Sequence, residues 1–171
     1  GGNIGRSLLD DLPRIRHDDF VVLELSSFQL HWTPQVRWSP HVAVISNVTP
    51  NHLDWHGTFA AYLADKLNIV RFQRPEHDAI VVENVPALCH SFGLLFGDVA
   101  GLWRYGTDDA DLVAVHQSTP AVDCDDRRLR WPAVSLAIPG AHNRRNAAAA
   151  LTVAAVLGLD PERAAAALAT F

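Results

Sequence analysis

The residues best suited to chemistry sit where apolar strands would be expected to end. In VVLELSSFQL, residues 21–30, a run of β-favouring apolar residues is interrupted by Glu24. A carboxylate at a buried strand end has to be compensated by a partner, a cap or a cation. A second segment, SNVTPNHLDWHGT at residues 46–58, follows another apolar run and carries His52, Asp54 and His56. Ligands of open parallel sheets bind beyond the carboxyl ends of the strands, so the two segments are expected to share one rim. Glu24 and the imidazoles at such a rim suit Mg²⁺ or Mn²⁺, which keep several waters and bind together with substrate phosphates. The competing reading of Glu24 is a capped or paired carboxylate with no ion. His52 and His56 lack the intervening glutamate of H-E-x-x-H, so a zinc protease is not indicated.

Lys66 is the second anomaly. At about 100° per residue it falls roughly 20° from Phe59 and roughly 40° from Val70, inside the apolar stripe of a helix. One account is a stem that packs while the ammonium reaches solvent. The other is chemical: a poorly solvated lysine favours the neutral amine, which can add CO₂ and release a proton to become a carbamate. A cation is thereby exchanged for an anionic metal ligand.

Patterning supplies elements able to hold these residues. A chain of 171 residues with 49% apolar side chains suits one packed domain. The formal charge of −5 argues against a nucleic-acid partner, and Arg127, Arg128 and Arg130 beside Trp131 read as a solvated face. Cys89 and Cys124 have no metal-ligand spacing and form no disulfide framework, which fits a reducing cytoplasm. No run of about 18 apolar residues and no signal peptide occur, so no membrane partner is expected. The opening GGNIGR, the closing ERAAAALATF and the absence of methionine suggest a piece of a longer protein.

Strands are expected at residues 20–25, 42–46 and 79–82, with a helix capped by Thr58 between the last two. Alternation of strands with a helix predicts an α/β fold with a mostly parallel sheet flanked by helices. Short alternating runs such as LVAV, RLRW and VSLAI predict a small antiparallel subsheet. Two closing helices follow, at 143–157 before Gly158 and at 161–169 after an Asp160 cap with Pro161 in the first position. The expected organisation is thus a parallel α/β part at 1–96, the antiparallel part at 97–139 and closing helices at 140–171.

In order along the chain, GGNIGR, VVLELSSFQL, ISNVTPNHLDWHGT, YLADKLNIV and IPGAHNRRNAAAAL resemble the central domain of the Mur ligases. These are ATP-dependent amide ligases of peptidoglycan synthesis with a P-loop-type central domain. ELSSFQ is most similar to the members that join D-glutamate to UDP-N-acetylmuramoyl-L-alanine. The resemblance implies two Mg²⁺ ions, with Glu24 as ligand at the ATP site and His52 holding the second ion. Lys66 matches the family's carbamylated lysine, which helps to place that second ion. Ser26 and Gln29 would lie on a substrate-facing turn, and Asn3 would contact the muramoyl substrate. Asn143 and Asn146, three apart on one helix face, match residues near the adenine, although Asn143 also suits ordinary capping. Asn51 stands where the family usually has Asp, and LDWHGT resembles the sister ligases more than the members that add D-glutamate.

The implied reaction is phosphoryl transfer to a substrate carboxylate followed by amide formation. The family's phosphate loop, G-x-x-x-x-G-K-[ST], is not in this sequence, and the resemblance puts it before GGNIG, with the amino-acid site beyond Phe171. Two alternatives stand beside this reading: a non-catalytic ligase-like binding module, and a dinuclear metal hydrolase that uses a carbamylated lysine. The latter would show His-x-His on a barrel strand, which HLDWH does not. Without the backbone amides and lysine of a phosphate loop, this chain by itself should neither hydrolyse ATP nor bind it tightly. Phosphate release and ATP titration calorimetry on the pure chain check this, and measurable turnover would contradict it.

Overall fold

The computed structural model describes residues 1–5, 7–84, 101–108, 111–117, 128–131 and 134–170. Cys89, Cys124 and Arg127 lie outside the described residues. Two compact units form, one from Gly1–Ser39 with Pro50–Phe72 and the other from Pro40–Thr49 with Gln73–Phe171.

The first unit is helical. A 3₁₀ turn, Leu9–Arg14, precedes α1 (Ser27–Val36), the single-turn α2 (Leu53–His56) and α3 (Phe59–Leu67). The strand expected at residues 20–25 does not form: only Glu24 pairs, in an isolated parallel bridge with Gly2. Strand residues need a neighbour for their N–H and C=O groups, and among the described residues Gly1 to Asn3 are the backbone partners Glu24 has. Phe20 and Val22 are accordingly 62% and 80% exposed. Strand propensity without a paired, half-buried surface does not make a strand.

Thr58 does cap α3, accepting from the Ala61 amide at 3.1 Å. The helix stops at Leu67, and the chain continues in turns whose amides bond three residues back, from Asn68 to Arg71. Its covered face is set by Tyr62, with Val70 buried in the turns beyond, whereas Phe59 is exposed. Asn68, itself buried, donates its side-chain amide to the Leu30 carbonyl at 3.1 Å and so fastens α3 to α1.

The second unit is a five-stranded sheet in the order β1 (Val42–Ile45), β2 (Ala79–Glu83), β3 (Leu102–Asp108), β4 (Asp111–Gln117) and β5 (Arg128–Trp131). β1, β2 and β3 are parallel, with Val42 opposite Ala79 and Ile80 opposite Leu102. β4 and β5 are antiparallel and continue the same sheet through β3. Arg128 and Arg130 are paired with Asp108 and Asp111, which accounts for the basic cluster seen in the sequence.

Against β2, β3 and β4 packs α4 (Ala141–Val156), followed by α5 (Pro161–Leu168). Its Ala147, Ala148 and Leu151 meet Val81, Tyr105, Leu112 and Trp131 in one buried cluster. Alanines let the helix lie close to the sheet without leaving voids. The Tyr105 phenol is pushed well above its ordinary range, by burial first and then by the Glu83 charge, which Arg145 partly offsets. α4 ends as its sequence predicts: Gly158 adopts φ +68°, its amide bonds Ala155 and the Leu159 amide bonds Ala154, a Schellman closure. Asp160 accepts from the Arg163 amide at 2.8 Å and starts α5.

Asp78 closes the turn that leads into β2. Its carboxylate accepts from the Arg74 amide at 2.7 Å and pairs with the His41 ring at 2.8 Å and with the Arg74 guanidinium at 3.4 Å. Burial alone would raise this carboxyl, but the bonds from Arg74 and His41 outweigh it and hold the group below its ordinary value. A depressed folded value contributes stability that is complete above the unfolded value of 3.8 and is lost as pH falls through the lower folded one. Asp78→Asn should therefore reduce stability near pH 7 by about 1–3 kcal/mol. Denaturant unfolding of both proteins should show that gap shrinking toward pH 3, and an equal gap at both pH values would contradict the charge-based account.

Candidate functional site

The first unit holds Asn3, Glu24, Ser26, Gln29, His52, Asp54, His56 and Lys66. The Asn3 amide donates to the Glu24 carbonyl at 2.6 Å, and the Glu24 amide donates to the Gly1 carbonyl at 3.1 Å. Asn3 and Glu24 are therefore held together by backbone, whatever their side chains do. The close approach requires Gly2, which sits at φ +83° and whose Cβ, were there one, would lie 2.1 Å from the Glu24 oxygen. Glu24 is exposed, and no described residue makes a hydrogen bond or ion pair with its carboxylate.

Two residues later the chain turns into α1 through a capping box. Ser26 Oγ accepts from the Gln29 amide at 3.3 Å, while Gln29 Oε1 accepts from the Ser26 amide at 3.0 Å and from its hydroxyl at 3.2 Å. Both side chains expected on a substrate-facing turn are turned toward each other. S-x-x-Q ahead of an apolar stretch is the sequence signature of this box, so the signal was available.

His52 occupies the left-handed region, φ 52°, at the N-cap of α2. A non-glycine residue there is held by its surroundings. The Asn51 side chain accepts from its amide at 2.9 Å, and its carbonyl accepts from the Trp55 and His56 amides. Its ring packs on Phe28 at 4.9 Å between centroids, is exposed, and has no hydrogen-bond partner among the described residues.

His56, expected at the same rim, has a different place. Its side chain is fully covered, with Nδ1 2.9 Å from Asp65 Oδ2 and Nε2 3.0 Å from Ser27 Oγ. Asp65 Oδ1 is in turn 2.9 Å from His31 Nδ1. Both His56 nitrogens are thus occupied, which leaves His52 as the imidazole open to a ligand. Ser27, His31 and Asp65 escaped the sequence reading, because neither spacing nor residue type shows which polar side chains meet across three helices.

Lys66 is partly buried, and its ammonium lies 5.3 Å from the centroid of the Tyr62 ring. A cation over an aromatic face accounts for a lysine on the apolar stripe without a carbamate. Among the described residues no group of three or more His, Cys, Asp or Glu is close enough to enclose a metal ion. No all-protein metal cage is therefore formed by the described residues.

In the second unit Asn143 and Asn146 line one cavity of about 350 Å³ together with Leu136, Ile138, Ala147 and Leu168. The Asn143 side-chain amide donates to the Pro139 carbonyl at 2.9 Å; α4 starts at Gly140 without a side-chain cap, so the capping expected as the alternative for Asn143 does not form. Apolar walls with two amides on one side can accept a flat, polar-edged ring.

A sequence model of the Mur ligase middle domain matches residues 6–154. The UDP-N-acetylmuramoylalanine–D-glutamate ligase of Acetivibrio thermocellus is 38% identical over 88% of this chain and 32% of its own length. The UDP-N-acetylmuramoyl-L-alanine–L-glutamate ligase of Xanthomonas oryzae pv. oryzae is 33% identical over 99% of this chain and 34% of its own. The chain spans about a third of the length of the curated relatives it matches. A crystal structure of MurF from Acinetobacter baumannii aligns with 86% of this chain and 33% of its own at a TM-score of 0.53 and 20% identity, a likeness of fold.

The contact at Gly2 can be tested directly. Gly2→Ala forces a side chain into the Glu24 carbonyl from a backbone conformation that L-residues rarely adopt. Amide hydrogen exchange at Asn3 and Glu24 should quicken by about tenfold or more, while α1 and α3 keep their protection. Unchanged exchange at these two amides would contradict the placement of Asn3 by Glu24.

Proposed function

The chain belongs to the Mur ligase family through its middle domain, and from that premise we propose that it is the central part of an ATP-dependent amide ligase. The reaction proposed is addition of D-glutamate to UDP-N-acetylmuramoyl-L-alanine in the cytoplasm, as a step of peptidoglycan synthesis. The observation that carries the reading is a division among the polar residues of the first unit. Ser26, Gln29, His56 and Asp65 are occupied in hydrogen bonds within the protein, whereas Glu24 and His52 are exposed and uncommitted among the described residues. The uncommitted pair are the two residues that the resemblance gives to Mg²⁺.

The donors suit that ion. Mg²⁺ keeps several waters and is bound through one or two protein groups plus substrate phosphates, so a three-ligand protein cage is not required. Glu24 would hold one ion by its carboxylate and His52 a second by its imidazole. When bound, the ions supply positive charge against the triphosphate and the substrate carboxylate.

In the proposed reaction a carboxylate oxygen of the muramoyl substrate attacks the γ-phosphorus, the bond to ADP breaks, and an acyl phosphate results. The amine nitrogen of D-glutamate then attacks the acyl carbon, phosphate leaves and the nitrogen loses a proton. The work of this chain is to hold groups in place. Asn3, fixed to the Glu24 backbone, offers an amide to the muramoyl substrate. Asn143 and Asn146 present their amides to the adenine edge, with Leu136, Ile138 and Leu168 against its faces. The phosphate loop would come from the part of the same central domain that the resemblance puts before GGNIG, and the amino-acid site from a further domain; the remaining domains of the same enzyme are its partners in turnover. The D-isomer rests on the likeness of ELSSFQ, and a ligation assay of the complete enzyme with D-glutamate and L-glutamate in competition decides between them.

Lys66 is proposed to act as a carbamate that helps place the second ion. The rival, favoured by the Tyr62 contact, is an ammonium that serves only packing. In the complete enzyme Lys66→Ala should lower turnover by about 10–100-fold with the melting temperature little changed. Acetate or formate should restore part of the activity by supplying the missing carboxylate. Near-normal turnover, or a loss that no small acid relieves, would contradict the carbamate.

A further inference from the structure

Ser27, His56 and Asp65 are joined in the order of a nucleophilic triad, at 3.0 and 2.9 Å, yet they cannot work as one. Ser27 is 3% exposed, and the His56 side chain is fully covered by the rings around it. No acyl group can reach the hydroxyl.

The direction of the hydrogen bonds follows from the acceptor at the centre. A carboxylate only accepts, so the proton on His56 lies at Nδ1 and points to Asp65. In the neutral ring Nε2 is then the acceptor for the Ser27 hydroxyl. His31 gives its own Nδ1 proton to the second oxygen of Asp65. Ser27 and His31 stand one turn apart on α1, His56 closes α2, and Asp65 is on α3. One chain of three hydrogen bonds therefore ties all three helices together.

Those helices carry the candidate residues at short range. Ser27 is three residues after Glu24, His56 is four after His52, and Asp65 precedes Lys66. Rings complete the connection. Phe28 touches both His52, at 4.9 Å, and His56, at 5.6 Å. Tyr62 touches His56 edge-on at 5.2 Å and underlies the Lys66 ammonium. His56 is thus one ring away from each.

We propose that His56 is a positioning residue: bonded to Ser27 and Asp65, it fixes the places of His52 and Lys66 through the Phe28 and Tyr62 rings that it touches. The inference rests on the reading of Glu24 and His52 as ion-facing residues, and it assigns a task to a histidine that this reading leaves unused. His56→Phe keeps a ring in the aromatic cluster but loses both hydrogen bonds. Asp65→Asn keeps an acceptor for one imidazole only, and Ser27→Thr keeps the hydroxyl.

The test uses the complete protein with the non-hydrolysable ATP analogue AMP-PNP and reads Mn²⁺ binding by electron paramagnetic resonance. A downfield imidazole N–H proton signal reports the bond to Asp65. His56→Phe should weaken Mn²⁺ binding by about tenfold and lower kcat more than KM for ATP, with the circular dichroism of a folded protein. Asp65→Asn should show the same change in smaller measure, and Ser27→Thr should restore the behaviour lost in Ser27→Ala. His52→Ala separates the two claims. If it leaves Mn²⁺ binding unchanged, the ion-facing reading fails. If it weakens binding while a folded His56→Phe or Asp65→Asn binds as the parent does, the positioning role is overturned. Should His56→Phe not fold, Asp65→Asn and the two Ser27 variants carry the decision.

Discussion

Asp65 accepts hydrogen bonds from two imidazoles, at 2.9 Å each, and the arrangement of the first unit depends on that carboxylate. It is largely covered, so it needs partners, and the partners it has come from two other helices. α2 is a single turn and could not hold a position by its own hydrogen bonds. What holds it is a buried histidine with both nitrogens engaged and aromatic rings on several sides. The left-handed backbone of His52 is the visible consequence: the chain accepts an uncommon conformation because the residue four further on is fixed.

The second unit solves a simpler problem by ordinary means. Apolar strands in parallel pair with one another, an alanine-rich helix lies close against them, and the ends of α4 and α5 are closed by a Schellman turn and an aspartate cap. Its covered carboxylate, Asp78, again joins segments distant in sequence, here His41 before β1 and Arg74 before β2. In each unit a covered acid takes up donors from segments distant in sequence.

Much of this was readable from the residues. β1, β2 and β5, both closing helices, the Thr58 and Asp160 caps and the Gly158 stop follow from local pattern, because the groups that decide them are neighbours in the chain. The strand at residues 20–25 was misread for the opposite reason: its composition is that of a strand, but pairing depends on a partner that composition does not specify. The candidate residues were found by type and by resemblance, which could not divide them further. His52 and His56 look alike in HLDWH, and only the tertiary structure separates the buried one from the exposed one. Ser26 and Gln29 carried a capping signature that was legible, whereas Ser27, His31 and Asp65 gave no local sign of meeting.

The division of work between the two histidines is the centre of the account, and imidazole ¹⁵N–¹H correlation spectra of the complete protein at neutral pH examine it most directly. The account predicts that His56 holds its proton at Nδ1 as a single tautomer, protected from exchange, and does not respond to Mg²⁺ with AMP-PNP. His52 should show rapid exchange and shift when both are added. Tautomer averaging at His56, or a ligand-induced shift at His56 with none at His52, would contradict it.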